Sequence, residues 1–182
     1  ALHQVLSKLD PKLKMRVNAV GVSGQQHGFV PINQAGRVLA PIKLWCDTST
    51  QEDCDDIMAS VGGVHACIEL VGNPILVGYT ASKVRWFKMS HRNLYEQMDC
   101  ILLPHDYLNF YLTGERSMEA GDASGSGFFD IKNRTWSKEI LNAIDSERDL
   151  QALLPEPAIQ NGFMGSLRSK IAEELGLPAG VG

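Results

Sequence analysis

Eight residues, Gly21-Val22-Ser23-Gly24-Gln25-Gln26-His27-Gly28, hold three glycines, two amides and an imidazole. Glycine lets a backbone turn sharply and lets another molecule come close to it. Gln26 and His27 add donors and acceptors that suit hydroxyl groups. A polyol or sugar is all hydroxyls, so this loop can read a sugar along its edge. A hairpin loop with a surface histidine is the simpler reading of these eight residues taken alone. Two further side chains fit the same chemistry. Trp45 can stack on the C–H face of a sugar, and packing in the core suits it equally. Asp122 lies in the small-residue run Gly121 to Gly127, where a carboxylate can meet a hydroxyl. That run lacks the Gly-Lys-Ser/Thr ending of a phosphate loop, and no amphipathic helix follows directly; it reads as a tight turn between strands.

The elements around these residues follow from periodicity. Val17 to Val22 alternates apolar with small or polar residues, as a strand does, and leads into the glycine loop. Phe29-Val30-Pro31-Ile32 resumes the extended pattern, and Gln34-Ala35-Gly36 marks a hairpin before Arg37 to Leu39. Leu2, Val5, Leu6 and Leu9 form a helical stripe closed by Pro11. Ile42 to Trp45 is a further extended piece. Thr48 with Gln51, or Ser49 with Glu52, has capping-box spacing for a helix over 50–60, and Asp47 sits where an N-cap belongs.

Helical patterns continue over 64–71, stopped by Gly72-Asn73-Pro74, and over 80–89 and 93–98. Lys83, Arg85 and Lys88 read as a solvated basic face. Cys100 to Leu103 is a buried-strand candidate. His105 and Asp106 cap a helix from Tyr107 to Leu112, which Thr113-Gly114 closes. Ser137 caps a helix bearing Ile140, Leu141 and Ile144. Gly165 to Leu167 looks extended, and 169–175 makes a last helix before Gly176. His3, His65 and His91 are scattered, as surface residues are. This mixture of strands and helices is α/β or α+β.

At 182 residues the chain is about one domain, able to bury roughly 70% of its unfolded surface without staples. A net charge of −4 lacks the basic face of a nucleic-acid binder. No apolar run approaches the roughly 18 residues of a membrane span. Cys46, Cys54, Cys67 and Cys100 have no zinc-site spacing. Their number permits two disulfides, but so low a cysteine density fits a reduced cytosol better. The N-terminus, Ala1-Leu2-His3, is neither a start methionine nor a signal peptide, which suggests a chain that begins inside a longer one.

Eight segments in order resemble the FGGY carbohydrate kinases, their xylulokinase-like branch in particular. They are Val22 to Gly28, Leu44 to Thr48, Gly72-Asn73-Pro74, Gly78 to Lys83 running on to Trp86, Leu102 to Leu108, Leu112 to Glu115, Asp122 to Gly125, and Gly176 to Gly180. The resemblance implies an α/β, ribonuclease-H-like (actin-like ATPase) domain, partial, with a mixed sheet and flanking helices. Residues 1–182 would be the sugar-side portion of the N-terminal domain, with the C-terminal ATP-binding domain absent from this chain. It further implies transfer of the γ-phosphoryl of ATP, with Mg2+, to a sugar or polyol, most simply a ketopentose such as D-xylulose, in the cytoplasm.

In that pattern Gln26 and His27 contact the sugar. The proposed catalytic aspartate lies after Gly182, so no catalytic residue is expected in this chain and the fragment alone should be inactive. Asp122 remains a sugar-contact candidate. The implied partner is a small-molecule sugar or polyol, with no nucleic acid and no membrane, and a homodimer stays open. Three positions depart from the pattern. Gln26 stands for the usual Met, Cys46 for Asn, and His105 for Lys, which exchanges a fixed cation for a group titrating near neutrality. These changes bear on which sugar is used. They also keep open a non-catalytic, sugar-binding regulatory paralogue, or an interaction domain without a ligand.

Overall fold

The computed structural model describes residues 2–158 and 162–182. Helix α1 spans Leu2–Leu6 and α2 spans Pro11–Lys14. Pro11 opens the second of these instead of closing a longer first helix. Its fixed φ suits a first helical position, and Asp10 accepts the Lys12 N–H at 2.7 Å. Strand β1 (Val30–Ile32) pairs antiparallel with β2 (Cys100–Leu102), with Val30 opposite Leu102. Faces alternate as the pleat requires: Val30, Ile32, Cys100 and Leu102 share one cluster, while Phe29, Ile101 and Leu103 join the main core. Pro31 is tolerated because its carbonyl faces away from β2, taking the Leu39 N–H at 3.0 Å, so its missing N–H costs that ladder nothing.

Helices α3 (Gln51–Ser60), α4 (Val64–Val71), α5 (Thr80–Ser90) and α6 (Arg92–Tyr95) lie between the two strands in sequence. Helix α4 ends on Gly72 at φ 81°, where a Cβ would meet Ile131 at 2.2 Å. Helix α7 (Pro104–Thr113) follows β2 at once. Then come β3 (Met118–Glu119), α8 (Ala120–Ala123), β4 (Phe129–Asp130), β5 (Thr135–Trp136), α9 (Lys138–Ile144), β6 (Pro157–Ala158) and α10 (Ser169–Leu175). Strands β3 and β6 pair parallel and β4 and β5 antiparallel, so the described strands form three two-stranded ladders. The main core joins α3, α4, α5 and α9 around Phe87, Phe128 and Trp136.

Several sequence expectations change. Val17 to Val22 is extended but forms no strand among the described residues. A strand exists only with a ladder partner, and among the described residues the segment makes one long-range backbone bond, from Val20 N–H to the Gly182 carbonyl at 2.8 Å. Gly165 to Leu167 likewise has no ladder, held by Leu167 N–H to Val181 O at 2.7 Å. The run 121–127 is helical, α8 continuing into a 3-10 turn, because the Glu119 carboxylate caps it through Gly121 and Asp122 N–H. The basic face of α5 is not solvated. Lys83 is fully buried, Arg85 pairs with Asp56 at 2.7 Å, and Lys88 pairs with buried Asp145 at 2.7 Å.

Asp145 also accepts the Tyr95 hydroxyl at 2.7 Å and the Glu147 N–H at 3.0 Å. Burial pushes its carboxyl up, but the bonds from Lys88, Tyr95 and Glu147 outweigh it and hold the group below its ordinary range. Its contribution is therefore present above the ordinary carboxylate pKa and fades as pH falls through the lowered value. Asp145→Ala should cost about 2–4 kcal/mol in denaturant unfolding at pH 7, and the wild-type advantage should shrink in acid. Burial also pushes the Cys54 thiol up to about 11 and the Cys100 thiol to about 12, and raises Cys67; Cys46 alone of the four is exposed. A maleimide at neutral pH should thus label one cysteine quickly in the native chain and four after unfolding, as mass spectrometry would count them.

Candidate functional site

The antiparallel register decides which residues meet. With Val30 opposite Leu102, the loop entering β1 and the start of α7 leaving β2 lie at the same edge. Glycines let them touch. A Cβ on Gly24 would stand 3.0 Å from the His105 backbone, and one on Gly28 would meet Pro104 at 2.5 Å. The turn after β3 closes over the same edge, since a Cβ on Gly125 would fall 2.2 Å from the His27 ring. Three segments far apart in sequence therefore assemble one surface that carries His27, His105, Asp106 and Asp122.

His27 has left-handed backbone at φ 62°, a conformation that non-glycine residues adopt only when their surroundings fix it. Here both its backbone and its ring are fixed. Its carbonyl accepts the Lys83 ammonium at 2.8 Å and the Thr80 hydroxyl at 3.3 Å. Its ring stacks on Tyr79, with centroids 4.6 Å apart, and its Nδ1 lies 2.6 Å from the Gly125 carbonyl. A carbonyl only accepts, so Nδ1 carries the proton, and in the neutral ring Nε2 is left as an acceptor. Burial lowers the His27 pKa; the Gly125 bond opposes this, the Lys83 charge adds to it, and Asp122 opposes it. At neutral pH the ring is thus uncharged. Among the described residues Nε2 takes no protein hydrogen bond, so it is available to a hydroxyl donor.

Lys83 holds this arrangement from below. Its Nζ donates to the His27 and Gly78 carbonyls, and burial pushes it down to about 8 against the pull of Asp47. His105 forms a second centre. Its Nδ1 lies 3.2 Å from Asp122 Oδ2 and 3.3 Å from Asp106 Oδ1, contacts of ion-pair length without hydrogen-bond alignment. The Asp106 carboxylate is 1% exposed and reaches back to the Leu103 N–H at 2.9 Å, so α7 begins at Pro104, earlier than its sequence suggests. Asp106 raises the His105 pKa, burial opposes, and Asp122 and Glu119 add to the rise. Burial in turn pushes the Asp106 carboxyl up, with His105 and the Leu103 N–H working against it.

The other candidates divide. The Gln26 side chain is exposed beside His27, and its carbonyl accepts the Gly28 N–H at 2.8 Å. Trp45 is 56% exposed, which rules out the core-packing role; its carbonyl packs against Gly78, where a Cβ would come within 2.7 Å. Asp47 is not the cap of α3, which starts from Thr50. Instead it accepts the Ser49 hydroxyl at 2.6 Å, Lys43 at 2.9 Å and the Ser49 N–H at 2.9 Å, and these bonds hold its carboxyl well below the usual range. Tyr79 and the burial of Lys83 escaped sequence reasoning. The only signal for them was an aromatic residue and a lysine in the segment Gly78 to Lys83 that opens a helix. A cavity of about 260 Å³ borders this surface through His105, Asn109 and Glu119. A larger hollow of about 540 Å³ beside α9, between Lys138 and Glu156, holds none of these groups.

Known proteins resemble this chain in sequence and in fold. The xylulose kinase of Haemophilus influenzae is 39% identical over 165 residues, covering 91% of this chain and 34% of the relative. The xylulose kinase of Escherichia coli K12 is 33% identical over 163 residues, covering 88% and 32%. This chain thus spans about a third of the length of these relatives. Among solved structures, a kinase from Brucella ovis described as a xyloylose kinase superposes with a TM-score of 0.85 at 28% identity, over 98% of this chain and 35% of that one. The xylulose kinase of Rhodospirillum rubrum gives 0.87 at 21% identity, over 100% and 36%. The fold they share is part of a ribonuclease-H-like (actin-like ATPase) domain. The model of the FGGY family of carbohydrate kinases, N-terminal domain, matches residues 1–182, and the chain belongs to that family.

Proposed function

We propose that the protein containing this chain phosphorylates a sugar or polyol at the expense of ATP, with D-xylulose or a similar ketopentose as substrate. In this reading the chain supplies the sugar side of the N-terminal domain. The observation that carries it is the His27 ring, held neutral with Nδ1 donating to Gly125 and Nε2 left as an acceptor. An acceptor of that kind, fixed before the substrate arrives, can orient a sugar hydroxyl without reorganising. Exposed Gln26 offers an amide alongside, exposed Trp45 an aromatic plane for the C–H face, and Asp122 a carboxylate across the gap. The xylulose kinase relatives supply the substrate class.

In this reading the phosphate side lies elsewhere in the full-length protein. The glycine turn after β3 spends the Gly121 and Asp122 N–H groups on the Glu119 carboxylate, so they are not free to cradle phosphate. Among the described residues no group of three or more His, Cys, Asp or Glu could hold a metal ion. In this reading ATP and Mg2+ are held by other parts of the full-length protein, which also supply the base.

In the full-length protein, His27→Ala should lower kcat/KM for the sugar about ten- to a hundred-fold, the cost of one desolvated hydrogen bond, with little change in KM for ATP. Gln26→Met should be milder and shift preference among ketoses and polyols. An ATP-coupled assay over a sugar panel measures both. Unchanged sugar kinetics in a folded His27→Ala protein would remove His27 from the site. Sugar binding without turnover would instead identify a regulatory paralogue. The 182-residue chain by itself is expected to give no turnover in the same assay.

A further inference from the structure

The geometry points to His105 as a proton-linked positioning residue, an imidazolium that ties the turn carrying Asp122 and Gly125 to helix α7 and so sets how well His27 meets the sugar. This rests on the sugar-site reading above, but its physical core is independent of turnover. His105 Nδ1 is buried and lies within 3.3 Å of two carboxylates from different elements, Asp106 on α7 and Asp122 on α8. Glu119, at the end of β3, adds a third negative group nearby. Its other ring nitrogen, Nε2, stands 3.5 Å from the Asn109 amide. From the glycine loop, Gly24 packs close against the His105 backbone. Among the described residues, the charged groups that act on this ring, Asp106, Asp122 and Glu119, are all acids.

The mechanical link runs in one direction through named atoms. Asp122 sits on α8, and three residues on, the Gly125 carbonyl accepts the hydrogen bond from His27 Nδ1–H. While His105 is protonated, Asp106 and Asp122 are drawn to a common cation and the turn is held down on α7. When His105 loses its proton, that cation is gone and the carboxylates of Asp106, Asp122 and Glu119 face one another across a neutral ring. Like charges in a partly desolvated cluster repel. The turn lifts, and the Gly125 carbonyl leaves the position that fixes the His27 tautomer. Sugar affinity therefore falls as pH rises through the His105 pKa, while ATP affinity does not follow.

The sign for stability is the same. A histidine whose pKa is raised by folding contributes fully below its ordinary value, and the contribution is lost as pH rises through the raised one. His27, whose pKa is lowered, works in the opposite sense and loses stability toward acid, so the two histidines separate on a pH axis.

The test compares the full-length wild type with His105→Lys, which keeps a cation at every pH from 6 to 9, and His105→Gln, which keeps none. KM for the sugar should rise about three- to ten-fold in the wild type between pH 6 and pH 9, stay flat in His105→Lys, and be high throughout in His105→Gln. Asp122→Asn should flatten the profile as well. Independently of activity, long-range 1H–15N spectra of the histidines should show the His27 Nδ1–H population declining in step with His105 deprotonation in the wild type only. A wild-type rise in sugar KM that persists unchanged in His105→Lys would overturn the proposal. So would a His27 spectrum indifferent to the state of His105. If the protein turns over no sugar at all, the spectra alone decide the matter, and the kinase reading fails separately.

Discussion

The antiparallel register of β1 on β2 is the constraint on which the site depends. Val30 opposite Leu102 fixes the loop 23–28 beside the first turn of α7. Because successive side chains alternate faces, a slip of β1 by one residue would turn Phe29 out of the main core and put Val30 in its place. The register is therefore held by hydrophobic burial on both faces, and the site inherits its geometry from the core. Gly24, Gly28 and Gly125 complete the fit by allowing contacts that any side chain would block.

Upon that scaffold two histidines take opposite electrostatic roles. His27 is pressed toward neutrality by burial and by the Lys83 charge, and becomes an acceptor with a fixed tautomer. His105 is drawn toward protonation by Asp106 and Asp122, and acts as a cation where two elements meet. Identical side chains serve as an acceptor and as a clamp because their neighbours differ. Lys83 joins the scaffold to the first of these, since one buried ammonium satisfies both the His27 and the Gly78 carbonyls and so holds the loop to the start of α5.

Much of this was legible in the sequence, and the rest was not for identifiable reasons. Periodicity located α3, α5 and α9, and the apolar run Cys100 to Leu103 located β2, because burial leaves its mark on local pattern. His27 was legible from residue type and its glycine neighbours, and the family from eight motifs in order. Val17 to Val22 misled because alternation describes a face, while a strand also requires a partner. Lys83 misled because its charge suggests solvent, whereas its partners are main-chain carbonyls that no sequence pattern displays. The helical turn after β3 and the meeting of His105 with Asp122 depend on Glu119 as a cap and on long-range packing, which composition does not encode.

The central claim is that His27 stands neutral, with its proton on Nδ1, before any sugar arrives. A long-range 1H–15N correlation spectrum of the histidine-labelled protein at pH 7.5 tests it directly. A neutral ring protonated at Nδ1, whose Nε2 resonance shifts when D-xylulose is added, is the result this account predicts. A ring protonated at Nε2, or an imidazolium at that pH, would contradict it.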